Sequence, residues 1–555
     1  MRRVLGMTLL GVVACSSPES SDAVGPDSPV VADGEAVAAE AAAHHPAPLA
    51  SVRPIAPLSG SVVGARPTLQ WALGGGQGRV RVDVCSDYAC AHTITSFEAR
   101  GDRIQLARDL PRGVAYWRLR SLDAHAGDAA SATWELFIAP GASSCAGASG
   151  LAFDANADGH ADVAVAAATP GSGFVFLGGA AGILTTPVSL EVEPSGIQGG
   201  VARAGDVNGD GFGDLLMASG DELRVFLGGA FGPASTPAAV LPLPPRGGFR
   251  GFGAIGDFNG DGYADIVVAD RPNERALLYF GSAAGLASTP GAVLEAPEAG
   301  ADFAASVAGA GDIDGDGRGD VVVGAPGAAS GAGRAYVFRG SHSGAPLLAT
   351  LSPPSDAGAG AFGSSVDSAG DVDGNGLADL VVGAPATINA QPSGSGRAYV
   401  FRNQGHTFGA PDAIVPSVGR FISSSIGVAG IGDWNGDGFS DIAVASAVAT
   451  MDAGDVGLVE VFNGSSAGTN ALSSINLTDS SARGSFGISF GSPGDIDGDG
   501  LPDVVVGAPY SPTSLGGSRR GPGRVYRFAT AGDFHVTQSL AGEDVGVQAF
   551  GVSVD

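Results

Sequence analysis

A nine-residue phrase, D-x-[DN]-x-[DN]-G-x-x-D, occurs seven times in this chain of 555 residues. The copies begin at Asp154, Asp206, Asp257, Asp312, Asp371, Asp433 and Asp495. Three or four carboxylates in nine residues repel one another unless a cation sits among them, and an all-oxygen donor set suits a hard cation such as Ca²⁺. Positions 1, 3 and 5 offer side-chain oxygen. They are Asp154, Asn156 and Asp158 in the first copy, Asp206, Asn208 and Asp210 in the second, and Asp257, Asn259 and Asp261 in the third. The fourth has Asp312, Asp314 and Asp316, and the fifth Asp371, Asp373 and Asn375. The sixth has Asp433, Asn435 and Asp437, and the seventh Asp495, Asp497 and Asp499. Position 6 is always Gly, which turns sharply without a Cβ clash. Position 7 varies freely, as expected where only a backbone carbonyl is used. Position 9 is Asp every time: Asp162, Asp214, Asp265, Asp320, Asp379, Asp441 and Asp503.

Two rival chemistries fail on the pattern. An EF-hand needs a bidentate Glu at position 12, where this chain has Val165, Met217, Val268, Val323, Val382, Val444 and Val506. Catalytic carboxylates work as one distinguished pair with separated pKa values, not as seven copies. Each loop instead runs into apolar β-branched residues such as Val321-Val322-Val323 and Val504-Val505-Val506. The loops therefore feed buried strands rather than helices.

The elements that must hold these loops recur with them. Successive first Asp residues lie 52, 51, 55, 59, 62 and 62 residues apart, a length that fits a four-stranded blade with its loops. The fourth repeat shows the plan, with strands expected at 306–309, 321–324, 334–338 and 347–351. Radial repetition of such sheets gives a β-propeller. The terminal heptapeptide Ala549–Asp555 matches Ala361–Asp367, the strand that leads into the fifth loop. The first loop has only a poor lead-in, Gly150-Leu151-Ala152-Phe153. The last strand is therefore expected to complete the first blade and close the ring.

The motif Phe362-Gly363-Ser364-Ser365-Val366, then Gly370-Asp371 and Val382-Gly383-Ala384-Pro385, resembles the FG-GAP repeat of integrin α-subunit propellers. Phe486-Gly487 with Gly507-Ala508-Pro509 is similar again, and Phe303 with Gly324-Ala325-Pro326 in part. Repeats one to three lack Gly-Ala-Pro and look like the related VCBS-type bacterial repeats. The resemblance implies that each acidic loop joins the first two strands of a blade. It also implies that positions 1, 3, 5 and 9 of every copy bind Ca²⁺, up to seven ions in all. Seven loops exceed the subset of blades that carry them in integrins.

Composition bounds the partners. The formal charge is −28 and there is no lysine, so all 29 basic residues are arginine. An acidic surface of this kind disfavours nucleic acid. Much of the acidity is local, since the loops hold 23 carboxylates, and seven divalent ions would offset 14 of those charges.

The N-terminal residues 1–15 read as an export signal. Arg2 and Arg3 precede a short apolar stretch, Val4 to Val13, too short to span a bilayer. Val12-Val13-Ala14-Cys15 resembles a bacterial lipobox, which implies lipidation of Cys15. Ordinary cleavage near Ala14 is the alternative. Residues 16–50, rich in Ser, Pro and Ala, are expected to be a disordered tether. Residues 51–140 hold three of the four tryptophans and alternating segments such as Arg79–Val84 and Tyr116–Arg120. They resemble a fibronectin type III or immunoglobulin-like β-sandwich. Cys85 and Cys90 bracket a short turn, and export makes a disulfide there plausible, which leaves Cys145 odd. Arg100-Gly101-Asp102 matches an adhesive tripeptide but is also expected by chance. A second copy, Arg318-Gly319-Asp320, lies inside the fourth loop, where its Asp has the better use as a ligand.

The sequence thus predicts an all-β chain: a small β-sandwich and then, over 147–555, a seven-bladed β-propeller. The expected function is a calcium-binding scaffold of the cell envelope, lipid-anchored to the outer membrane or cell surface and not an enzyme. It would act in adhesion or as a protein-binding scaffold, with a protein or glycan ligand on the propeller surface. A lectin is the second reading, with Tyr263, Trp434 and Phe439 as candidate sugar-stacking rings, and core or rim packing as their more ordinary use. A polysaccharide- or lipid-acting enzyme is the third. The eight histidines are scattered and form no metal or triad motif.

Overall fold

The computed structural model describes residues 52–57, 60–73, 79–111, 113–122, 130–138, 152–169, 172–191, 200–243, 251–354, 360–385, 396–405, 407–414, 426–446, 457–469, 474–477, 486–509, 522–529 and 536–555. Cys15, the export signal, the tether and Cys145 lie outside the described residues.

Seven four-stranded antiparallel sheets follow the small sandwich. In the fourth, strands Ser306–Gly311, Asp320–Ala325, Arg334–Phe338 and Leu347–Leu351 pair in sequence order. Every residue of Asp320–Ala325 is buried, because this strand is covered on both faces, and its Val-rich sequence suits that environment. The same holds for Asp265–Asp270, Asp379–Ala384 and Asp503–Ala508. A register shift interrupts the first two strands just before each loop in blades two to seven, between Gly309 and Gly311 in the fourth. Such a shift bends the strand and releases it into the acidic loop.

The Phe of the repeat signature is a wedge. Phe362 is fully buried, with its ring 5.6 Å from Tyr399 and 5.8 Å from Phe401 on the third strand of its own blade. Phe303 meets Tyr336 and Phe338 in the same way, and Phe486 meets Tyr526 and Phe528. Offset and edge-on ring pairs of this kind add to the stabilisation from burial alone.

The first blade is assembled from both ends of the repeat region. Its strand order is Val188–Leu190, Ser172–Phe176, Val163–Thr169 and then Gln548–Val554. Val554 pairs with Val165 and Phe550 with Ala167. Phe550 is fully buried, 6.1 Å from Phe174 and 5.9 Å from Phe176. The seam between blades is also the same at this joint as at an ordinary one. Gly523 of the seventh blade bridges Phe550, as Gly333 of the fourth bridges Phe362. Both glycines sit in the left-handed region, with φ of +90° and +87°. A Cβ on either would lie 2.3 Å or 2.1 Å from the carbonyl oxygen of the Phe it meets, so only Gly fits.

The first strands of neighbouring blades touch around the ring. They wall a central channel of about 320 Å³, where Arg203, Asp367 and Asp555 supply the charged groups.

Residues 53–138 form a three-stranded and a five-stranded sheet. Trp71 of one and Trp117 and Trp134 of the other share a buried core. Cys85 and Cys90 form a disulfide. Arg100-Gly101-Asp102 is a turn between strands; its Gly101 and Asp102 carbonyls accept hydrogen bonds from the Trp71 indole and backbone N–H. Among the described residues no helix is long and apolar enough to cross a membrane.

Candidate metal centres

In blades two to seven the acidic loop joins the first and second strands and the position-9 Asp opens the second strand; in the first blade the loop leads into the second strand, Val163–Thr169, with Asp162 just before it. The loop folds around its own carboxylates. In the third loop Asp257 Oδ1 accepts the Gly260 and Asp261 N–H groups, and its Oδ2 accepts that of Gly262. Asn259 Oδ1 accepts the Asp261 N–H, and Asp261 Oδ1 accepts that of Tyr263.

The position-9 Asp does a second job. Asp265 is fully buried; its Oδ2 accepts the Phe258 N–H at 2.9 Å and its Oδ1 the Gly281 N–H at 2.9 Å. Asp162, Asp214, Asp320 and Asp379 repeat this clamp, tying the loop to the end of the third strand. Asp441 does so through Asn435 and Gly464. Asp503 differs: Oδ2 accepts the Ile496 N–H, and the Arg527 guanidinium takes part as a second partner.

Burial and mutual repulsion push these carboxyl groups out of their ordinary range. Burial raises Asp257 and Asp312 to about 7, with the Asp261 and Asp316 charges adding to the effect. It raises Asp320 and Asp379 to about 8. Such groups resist ionisation until a cation compensates them. Three carboxylate oxygens approach within 4.8 Å of one another in the sets Asp312/Asp314/Asp316, Asp371/Asp373/Asp379 and Asp495/Asp497/Asp503. Asp373 Oδ1 is buried with no hydrogen-bond partner. Clustered, desolvated oxygens of this kind fit a hard divalent cation, so these clusters could hold one.

The sandwich lies over the loop face of the first three blades. The Tyr116 hydroxyl donates to the Ala157 carbonyl at 3.3 Å, and the Tyr88 hydroxyl to that of Asp210 at 3.4 Å. The Arg53 guanidinium donates to the Asp261 and Gly262 carbonyls and lies 4.4 Å over the Tyr263 ring. Glu135 is buried beside Asp154, which holds its carboxyl well above the usual range, chiefly through burial. Sequence reasoning placed neither Glu135 nor Arg53 at the loops, because the contact spans two folded units and leaves no local spacing. The candidate sugar-stacking rings serve packing. Trp434 is fully buried, Tyr263 lies under Arg53, and Phe439 packs against Gly374 of the neighbouring loop.

Comparison with known proteins bears on the repeats. Residues 154–217, 206–268 and 257–323 match the FG-GAP-like repeat, and residues 362–401 and 486–526 the FG-GAP repeat. Integrin alpha-5 of Xenopus laevis is 36% identical over 158 residues, covering 26% of this chain and 14% of that protein. Integrin alpha-V of Gallus gallus is 32% identical over 206 residues, covering 36% and 19%. The chain thus spans less than a fifth of the length of these relatives. Among solved structures, a protein from Lactobacillus plantarum aligns over 71% of this chain and 98% of its own, with a TM-score of 0.40 and 14% identity. The matched repeats fold as blades of a closed ring, so the repeat region of this chain is an FG-GAP, integrin alpha-like β-propeller.

Proposed function

We propose that this propeller is a Ca²⁺-stabilised scaffold of the cell envelope that presents a protein-binding surface. The observation that carries the reading is the shared architecture of the seven loops. Each ties its carboxylates into the joint between two strands, which suits a strut rather than a reaction centre. The residues that would hold the ions are those at positions 1, 3, 5 and 9 of each loop, from Asp154 to Asp503. Bound Ca²⁺ would neutralise the desolvated carboxylates and fix the loop face. Affinity on the order of 10⁻⁴ to 10⁻³ M fits such extracellular sites.

In this reading the sandwich of residues 51–140 stands between the propeller and a tether, and lipid on Cys15 anchors the whole to a membrane. Phase partition in detergent tests the anchor: the full chain should enter the detergent phase and Cys15→Ala should not. The scaffold itself is tested by affinity capture on the full chain in Ca²⁺ and in chelator. A protein partner retained only with Ca²⁺ supports the reading. Capture indifferent to chelator, together with melting indifferent to chelator, removes its basis. A glycan array with specific hits would turn the reading to a lectin.

A further inference from the structure

The seven loops are of two electrostatic kinds. Position 3 is Asn in the first, second, third and sixth, and Asp in the fourth, fifth and seventh. In all four Asn loops the side-chain amide donates to the position-5 Asp: Asn156 to Asp158, Asn208 to Asp210, Asn259 to Asp261 and Asn435 to Asp437. In all three Asp loops an arginine from the third strand or its end reaches the position-3 carboxylate instead. Arg339 Nε lies 2.6 Å from Asp314, and its Nη2 2.8 Å from Asp316. Arg402 Nη1 lies 3.8 Å from Asp373. Arg527 Nη2 lies 2.5 Å from Asp497 and 2.8 Å from Asp503. Where Arg339 stands after Phe338, the first and second blades have Leu177 and Leu227 after Phe176 and Phe226, and the sixth has Asn463 after Phe462. Among the described residues no ion pair reaches the carboxylates of an Asn loop.

We infer that Arg339, Arg402 and Arg527 are built-in counter-cations, one for each position-3 carboxylate, which set the affinity and charge selectivity of the fourth, fifth and seventh metal sites. The inference rests on the reading that the loops hold divalent cations. A divalent ion leaves a loop with three carboxylates one negative charge in excess, and the fourth carboxylate of the fourth and seventh loops makes the excess two, which an arginine on position 3 brings back to one. The fourth loop has Arg318 3.2 Å from Asp316 as well. In the fifth, Asn375 at position 5 keeps the count at three, and Arg402 brings the loop with its ion to neutral. The arginine also draws on the oxygens the ion needs, since Arg339 and Arg527 hold Oδ2 of Asp314 and Asp497. The arginine thus holds the loop together without metal and weakens the pull on a more highly charged ion. Arg402 is shared with Asp412 at 3.1 Å, which leaves Asp373 Oδ1 unpartnered in a side chain only 10% exposed. Arg527 is 4% exposed and Arg339 43%, so screening by water is least at the seventh loop and greatest at the fourth.

The test uses the full chain crystallised with graded Tb³⁺, whose anomalous scattering gives the occupancy of each loop separately. Arg339→Leu copies the Leu227 of the second blade. It should raise Tb³⁺ affinity at the fourth loop about tenfold, by removing one unit charge a few ångströms from the ion. Arg527→Leu should raise it more, about a hundredfold, at the seventh. Asp314→Asn with Arg339→Leu rebuilds the Asn-type pairing and should return the fourth loop to the affinity of the second. The four Asn loops serve as controls and should not change. Arg339 is half exposed, so its variant keeps the test available if Arg527→Leu does not fold. Occupancy at the fourth loop that is unchanged or lower in Arg339→Leu overturns the inference. No Tb³⁺ in any loop of the unaltered chain overturns the metal reading beneath it.

Discussion

Phe550 holds the ring closed. It is fully buried between Phe174 and Phe176, and its backbone bridges the seventh blade through Gly523. Phe550→Ala leaves a cavity that rigid strands on both sides fill poorly, at a cost of about 3–5 kcal/mol. For a domain of this size each kcal/mol corresponds to about 2 °C, so the melting temperature should fall by about 6–10 °C. Deleting residues 545–555 also removes the buried Val547 and Val554 and should lower it further. The assay is calorimetric melting in saturating Ca²⁺, with Phe231→Ala as control, since Phe231 is 94% exposed. Phe362→Ala supplies the comparison: Phe362 has the same burial, ring neighbours and seam within an ordinary joint. The two losses should agree to about 1 kcal/mol. A fall of less than about 2 °C for Phe550→Ala, beside a full loss for Phe362→Ala, would refute the closed ring.

Three further outcomes follow from the seams and loops. Gly523→Ala and Gly333→Ala each place a Cβ against backbone at positive φ, and each should cost more than about 2 kcal/mol in denaturant unfolding. Asp265→Ala strips the Phe258 and Gly281 N–H groups of their acceptor. It should destabilise even the chelated protein by about 2–4 kcal/mol, whereas loss of a pure metal ligand would be silent there. The loop carboxyls have folded-state pKa values raised above 3.8, to about 7 or 8 at Asp257, Asp312, Asp320 and Asp379. A raised value means the stability these groups contribute is fully present only below about 3.8, is lost progressively as pH rises above it, and is gone once pH passes the folded values of about 7 to 8. In chelator the protein should therefore melt higher at pH 6 than at pH 8, and added Ca²⁺ should abolish or reverse that difference. A flat profile in chelator would mean that the carboxylates are not desolvated.

The loops were legible because metal-ligand spacing is local: nine residues carry positions 1 to 9, and the strands that flank them follow from apolar runs and glycines. The blade count came from repetition alone. What spacing could not show is the second use of position 9. Asp265 reads as a ligand in sequence, while the structure also makes it the clamp between the loop and Gly281. Nor could it show Arg339 or Arg402, each more than twenty residues beyond the Asp it faces. Repetition offered one clue, since both follow the aromatic pair of their third strand.

By itself the sequence determined an all-β repeat fold, seven loops with hard-cation chemistry, and a terminal heptapeptide like the lead-in to the fifth loop. Periodicity and ligand spacing act within a few residues, so one dimension is enough to carry them. Only the tertiary structure decided that residues 548–554 pair with 163–169, that the sandwich covers the loops of the first three blades, and that arginines accompany the loops with Asp at position 3. Those contacts join residues tens to hundreds of positions apart, and packing around a closed ring is what brings them together.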